Sequence, residues 1–142
     1  MLERIFDNTS IPALSQALRF SELRHVYLAN NVANVDTPGF KAMDLPEGEF
    51  REVLGRAIDA QRAGTTQKLE LGVTSNIRSG PEGFVAHAIR AGVDARVDGN
   101  DVSLDLELAK LSKNSMEYQI LSKLMARRFA FLREVVRERV GG

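Results

Sequence analysis

The sequence has no cysteine, which excludes disulfides, thiolate nucleophiles and finger-type zinc sites together and leaves the redox compartment open. It has no excess charge of either sign, since Lys plus Arg and Asp plus Glu each number 19. No overall field draws the chain to nucleic acid or anionic lipid, so recognition has to be local. Nowhere do about 18 apolar residues run together, and residues 1–7 lack a cationic region followed by an apolar one. Neither a membrane-spanning helix nor an ordinary secretory signal is therefore expected. Apart from Gly141 and Gly142, glycine is absent outside the stretch from Gly39 to Gly99. That distribution divides the chain into two glycine-free ends, which read as helices, and a glycine-rich middle.

What is present is enough for a core. The chain is 142 residues long and 44% hydrophobic, which fits one modest domain and argues against wholesale disorder. In the front segment, Ser10 is a plausible N-cap and Pro12 is tolerated in a first turn, so a helix is expected over about 11–35. Ile11, Leu14, Leu18, Ser21, His25, Leu28, Val32 and Val35 follow a three-four spacing with a period near 3.5, and Ala13, Ala17, Phe20 and Tyr27 widen the stripe.

The back segment opens with the turn sequence Asp98-Gly99-Asn100-Asp101. Ser103 can then cap a helix that begins acidic, with Asp105 and Glu107, and ends basic, with Arg127, Arg128, Arg133, Arg137 and Arg139. Leu104, Leu108, Leu111, Ser115, Tyr118, Ser122, Met125, Phe129, Leu132 and Val136 keep the same spacing for five heptads. A helix over 103–139 would be about 55 Å long, far beyond the ~14 Å radius of gyration of a compact chain of this size. Met116, Ile120, Leu121, Leu124, Phe131 and Val135 lie off that seam, so one partner helix cannot cover the apolar surface. Either a larger bundle or other copies must cover the remainder.

The expected fold is mainly α: two long terminal helices packed as an elongated coiled-coil-like hairpin, with an irregular or short-β middle. The expected division is 1–44, 45–97 and 98–142 within a single structural unit. In the middle, residues 49–62 suggest a short helix. Residues 92–98 alternate like a strand, with Val93, Ala95 and Val97 on one face, and residues 64–83 read as loop or weakly ordered extended chain.

Little in the chain suggests site chemistry. His25 and His87 stand far apart, without Cys or His at ligand spacing. Residues 94–105 partly match a calcium loop, but Arg96 occupies a ligand place, Asp105 is shorter than the usual bidentate Glu, and a turn that delivers a helix cap explains the residues better. No nucleophile elbow or phosphate loop is present. Arg127 and Arg128 beside Phe129 and Phe131 read as a solvated basic helix end rather than a nucleic-acid patch. No catalytic, cofactor-binding or metal-binding residue, no small-molecule substrate and no nucleic-acid partner is expected.

The stretch ANNVANVDTPGFKAMD, residues 29–44, is different. Asn30 and Asn34 lie one turn apart beside Leu28 and Val32, where a carboxamide row offers both donors and acceptors. Asn costs about 0.5 kcal/mol or more relative to Ala in a helix, so the row reads either as a hydrogen-bonding face or as a fraying helix end. Thr37 before Pro38 is pushed to extended geometry, and Pro38-Gly39 suits the centre of a type II turn that redirects Phe40.

This stretch resembles the signature of the flagellar basal-body rod family of axial proteins, an Ala-Asn-Asn-x-Ala-Asn-x-x-Thr-x-Gly-Phe-type run. Here it reads Ala29-Asn30-Asn31-Val32-Ala33-Asn34, followed by Asp36-Thr37-Pro38-Gly39-Phe40-Lys41. Asp98-Gly99-Asn100-Asp101-Val102, Leu111, Asn114-Ser115, Tyr118-Gln119, Leu124 and Arg128-Phe129 are similar to the C-terminal pattern of the proximal-rod branch of that family. The likeness covers about 11–44 and 98–139, and no motif was matched in 45–97. It implies a non-enzymatic structural subunit, exported through the flagellar type III apparatus without a cleaved signal and built into the periplasm-spanning drive shaft. Its partners would be copies of itself, other rod proteins, and the membrane-ring or rod-base adaptor proteins. Under that resemblance Asn30, Asn31, Asn34, Thr37, Pro38, Gly39 and Phe40 form an assembly motif. The helix seam would comprise Leu14, Leu18, Leu28, Val32, Leu104, Leu108, Leu111, Tyr118, Met125, Phe129, Leu132 and Val136. A self-contained helical adaptor or chaperone-like module, gripping one amphipathic helix, is the competing reading.

Overall fold

The structure is a computed structural model, and it describes residues 10–66, 68–80 and 83–140. Its elements in chain order are α1 (Ser10–Ala33), β1 (Met43–Asp44), α2 (Glu47–Arg62), β2 (Ile77–Gly80), β3 (Gly83–Ala86), β4 (Ile89–Arg90) and α3 (Leu104–Val140). The chain is mainly helical, with an N-terminal helix, a long C-terminal helix and two small sheets. No described helix is long and apolar enough to cross a membrane.

α1 starts at Ser10, whose side chain lies outside the described set, as does the cap expected of it. Ser103 directly precedes α3, and its carbonyl accepts the Glu107 N–H at 2.9 Å, as an N-cap carbonyl does. At 1.5 Å per residue the 24 residues of α1 span about 36 Å and the 37 of α3 about 55 Å. The two run antiparallel: Asn31 near the end of α1 meets Glu107 near the start of α3, and Ser21 meets Asn114 further along. α3 therefore extends beyond the described part of α1.

The middle contributes more than its composition suggests. Phe50, Val53 and Ala57 of α2, with Leu45, Leu71, Ile77 and Phe84, close an apolar core onto Phe20 of α1. Phe20 and Phe50 stack at 4.1 Å between ring centres, Phe84 tilts against Phe50 at 5.1 Å, and the Arg19 guanidinium lies 5.5 Å from the centre of the Phe84 ring. The three- and four-residue spacing of Phe50, Val53 and Ala57 puts one face of α2 inward. The antiparallel hairpin β2–β3, with Ile77 opposite Ala86 and Ser79 opposite Phe84, supplies Ile77 and Phe84 from its inner face. A second antiparallel pair joins β1 to β4, with Met43 opposite Arg90 and Asp44 opposite Ile89.

Two expectations are corrected. Residues 92–98 form no strand; Val93, Ala95 and Val97 are exposed, and β4 already takes the short edge that β1 offers. The Val93 and Arg96 N–H groups instead bond Asp101 and Asn100 carbonyls at 2.9 and 2.8 Å, which folds the segment back on the next turn. The stretch 64–83, read as loop or weakly ordered extended chain, is extended over 77–80, where it forms the paired strand β2 rather than a weakly ordered one. The short helix expected over 49–62 is present as α2, two residues longer at its start.

Because Phe50 joins α1, α2 and the hairpin, Phe50→Ala should cost about 3–5 kcal/mol of unfolding free energy, checked by urea denaturation. A loss below about 1 kcal/mol would mean that the middle contributes no cooperative core.

Candidate functional site

The two segments singled out from sequence, 29–44 and 98–114, meet in one buried polar junction. Asn31 is fully buried at its centre. Its carboxamide nitrogen donates to the Met43 carbonyl at 2.8 Å and to the Glu107 carboxylate at 2.8 Å, and its oxygen accepts the Met43 N–H at 3.1 Å. The side chain thus pairs with β1 as a neighbouring strand would and still reaches α3. Glu107, also fully buried, is completed by the Lys110 ammonium at 2.7 Å.

Asn100 performs the matching task from the other side. It too is fully buried, and its carboxamide nitrogen lies 3.0, 3.1 and 2.8 Å from the carbonyl oxygens of Asn34, Val35 and Thr37, in the turns that follow α1. The Arg96 guanidinium donates to the Val35 carbonyl as well. The Asn100 side-chain oxygen accepts the Val102 N–H at 2.7 Å, which fixes the approach to α3. A residue remote in sequence therefore fixes the chain where it leaves the first helix.

Pro38-Gly39 forms the expected turn: Gly39 has φ +72° and the Phe40 N–H bonds the Thr37 carbonyl at 3.2 Å. Gly39 donates to the Asp98 carbonyl at 2.9 Å, and Gly99, with φ +80°, lies against its backbone. Both positions hold a conformation that suits glycine, and their contact lets the two turns nest. Below them, Asp101 accepts the Ala42 N–H at 2.6 Å, and Lys41 donates to the Gly99 carbonyl at 2.6 Å.

Of the expected assembly residues, Asn31 is buried within the chain. Asn34 bonds locally, to the Asn30 carbonyl at 2.8 Å and the Asn30 side chain at 3.1 Å, and it accepts from Thr37 at 3.1 Å. Asn30, Thr37, Pro38 and Gly39 are exposed and Phe40 is half-buried. Of the expected seam residues, Leu28 is fully buried, while Leu14, Leu18, Val32, Leu111, Met125 and Leu132 are half-buried. Leu104, Leu108, Tyr118, Phe129 and Val136 are exposed in the single chain, by 41, 46, 37, 50 and 58%.

The buried side chains of α3, among the described residues, are instead Glu107 and Asn114. Asn114 donates to the Ser21 carbonyl at 2.9 Å and accepts from the Ser21 hydroxyl at 3.1 Å. The apolar ridge of α3 is turned aside because α1 presents Ser21 and Asn31 to it, and buried polar groups must face polar groups. Beside them buried Arg24 grips Asp44 through two nitrogens at 2.8 and 2.9 Å and also reaches Glu47, which Lys113 of α3 contacts at 3.0 Å.

Arg24, Asp44 and Asn114 were missed as junction residues, and Glu107 was read only as a match for the helix dipole. The available signal for Arg24, Glu107 and Asn114 was their polarity inside otherwise apolar-periodic helices; Asp44, in β1, carried none. Burial would lower the Arg24 pKa, but the Asp44 hydrogen bonds and the Asp44 and Glu47 charges outweigh it and hold the value above the ordinary one. For Glu47, burial acts to raise the pKa, yet Lys113 and Arg24 leave it below the ordinary 4.5. Hydrogen bonds from Thr74 and Asn76 lower that of Glu49.

The described residues contain no group of three or more His, Cys, Asp or Glu able to hold a metal ion. The polar atoms of the junction are spent on backbone groups and on one another, so the arrangement can fix the register of two helices rather than transform a substrate. That defines a structural class: a long-helix protein whose two terminal helices are held in register by buried polar contacts. Residues 28–41 match the family model described as Flagella basal body rod protein. The chain is 33% identical over 108 residues to the flagellar basal body rod protein FlgB of Proteus mirabilis (strain HI4320), across 73% of this chain and 76% of that one. It is 29% identical over 123 residues to FlgB of Cereibacter sphaeroides, across 87% and 90%, and 31% identical over 107 residues to FlgB of Escherichia coli (strain K12), across 74% and 76%.

The chain belongs to the flagellar basal body rod protein family, and within it is similar to the FlgB proteins. It is a structural protein of the rod, a family whose members associate with other rod components.

Asn31→Ala and Asn100→Ala should each destabilise the chain by about 2–3 kcal/mol in equilibrium denaturation, because each leaves several buried groups unpaired, while Asn34→Leu should cost under about 1 kcal/mol. Equal effects at all three would contradict this account of the junction. Glu47, held low when folded, stabilises the chain above its unfolded value near 4.5 and loses that contribution as pH falls through its lower folded value. Glu47→Gln should therefore flatten the stability profile below about pH 4.5, and an unchanged acid limb would count against the cluster.

Proposed function

We propose that this chain builds the proximal part of the flagellar rod through its terminal helices. These form a coiled-coil-like hairpin that packs with neighbouring copies into a helical drive shaft around the export channel and transmits torque. The observation that carries this reading is the imbalance on α3, which buries two polar side chains against its own chain and leaves Leu104, Leu108, Ile120, Leu124, Phe129 and Val136 between 41 and 59% exposed. So wide an apolar face asks for more than one neighbour. Contacts that do not close on themselves generate filaments, and a rigid seam between long helices resists twist.

The reading carries further parts. The chain has no catalytic role and needs no cofactor or small-molecule substrate. It reaches the periplasmic part of the basal body through the flagellar type III export apparatus without a cleaved signal. Besides copies of itself and other rod proteins, it contacts the membrane-ring or rod-base adaptor proteins. The motif at 30–40 serves assembly indirectly: Asn31 sets the helix register, and Pro38-Gly39 leads the chain out of the inner helical layer.

A helical adaptor is favoured by one feature, an apolar cleft between α1, α2 and α3 lined by Ala17, Phe20, Leu54, Ile120 and Leu121 that would accept a single helix. Light scattering with circular dichroism across concentration separates the two. Growth of the scattering mass with concentration or with added rod proteins supports the rod subunit; a persistent monomer that binds one helix supports the adaptor. Leu108→Asp or Phe129→Asp should abolish assembly and motility with little change in monomer helicity, and a motile strain with normal rods would remove both residues from the seam.

A further inference from the structure

We infer that α2 is a strap that closes along α3, turning the helical hairpin into a three-helix bundle within one chain. The inference goes beyond the reading of the chain as a rod subunit and does not depend on it. α2 runs beside α3 in the same direction: Lys113 bonds Glu47, the first residue of α2, at 3.0 Å, and Leu54 further along shares a cleft with Ile120 and Leu121. The cleft is open and mainly apolar, with a volume of about 270 Å³. Phe50, Arg51 and Leu54 form its wall on α2, and Glu117 joins Ile120 and Leu121 on the α3 side. The two helices are thus pinned at one end and stand apart beyond it.

The facing walls match rung by rung. Glu47, Arg51, Leu54 and Ile58 step along α2 by four, three and four residues, and Lys113, Glu117, Ile120 and Leu124 step along α3 by the same intervals. Each set therefore lies on one face of its helix. The ion pair of the first rung joins residues 66 apart, and the same offset links every later rung. The second rung sets a guanidinium opposite a carboxylate, and the third and fourth set leucine with isoleucine. Arg51 and Glu117 take their partners within their own helices, Arg51 from Glu47 at 2.6 Å and Glu117 from Lys113 at 3.7 Å, so a turn of either side chain can carry it across the cleft. Ile120 and Leu124 are 59 and 42% exposed, while Leu54 and Ile58 are half-buried. Closure buries this apolar ladder and adds an oppositely charged pair, with no like charges opposed at any rung. The buried residues Phe50, Val53 and Ala57 hold α2 against Phe20 and the hairpin, so the strap rolls over an anchored face instead of detaching. Once closed, it denies the cleft to any outside helix.

The absence of cysteine gives the test a clean background. Full-length Leu54→Cys with Ile120→Cys, mildly oxidised at high dilution, should form an intramolecular disulfide about tenfold faster than Glu52→Cys with Ile120→Cys, because Glu52 lies away from the cleft and its cysteine has a lower effective concentration there. Adding Arg51→Glu should slow the bond about threefold, and Glu117→Arg on top of it should restore the rate. Oxidation should also lower the binding of anilinonaphthalenesulfonate, a dye for exposed apolar surface, and reductant should bring it back. Circular dichroism checks that each variant keeps the parental helicity; Ile58→Cys with Leu124→Cys replaces the first pair if that pair does not. The inference falls if helical variants stay reduced, if the control pair closes as fast, which would make the bond a product of general loosening, or if reversing the charges leaves the rate unchanged. Its fall would leave the rod reading standing, since no step of the test involves assembly.

Discussion

The arrangement depends on a carboxamide buried where apolar packing would be the simpler solution. Asn31 satisfies two backbone groups of Met43 and one carboxylate of Glu107 at once, so α1, the strand after it and α3 share one fixed point. A register shift of one turn would strip the Glu107 carboxylate of its amide donor and leave the Asn31 carboxamide buried without that acceptor. Ser21 with Asn114 repeats the device further along the same pair of helices. Leucine-on-leucine contact tolerates sliding by a turn; these bonds do not.

Putting the polar strip on the intramolecular face has a consequence for the rest of α3. Leu104, Leu108, Phe129 and Val136 are displaced to the flanks, where no other described residue buries them. The same residues that define the fold of one copy thereby leave the surface by which copies can meet. The middle region holds α1 from its other side through Phe20, Phe50 and Phe84, and the Arg24–Asp44–Glu47–Lys113 cluster ties that region to α3.

Much of this was legible in the amino-acid order. Both terminal helices announce themselves by period and by the absence of glycine, and Pro38-Gly39 announces its turn because only a few residue types suit each place. The rotation of α3 was not legible: a stripe running from Leu104 to Val136 marks an apolar face but does not say whether that face meets its own chain or another. Nor was the junction itself, since Asn100 caps carbonyls more than sixty residues away and no local pattern encodes such a partner. The core of the middle escaped for a related reason. Leu45, Leu71 and Ile77 stand apart in glycine-bearing sequence, and only the hairpin and the turn after β1 bring them to α2. Residues 92–98 alternated convincingly, but alternation without a free strand edge makes no strand.

The central claim is that the Asn31–Glu107 contact sets the two terminal helices in register. A double-mutant cycle with Asn31→Ala and Glu107→Ala, read by equilibrium unfolding of the full chain, tests it most directly. The account predicts a coupling of about 1–3 kcal/mol, in line with buried residues of one hydrogen-bond network. Additive effects, with coupling near zero, would mean that the two helices are aligned by something other than the junction.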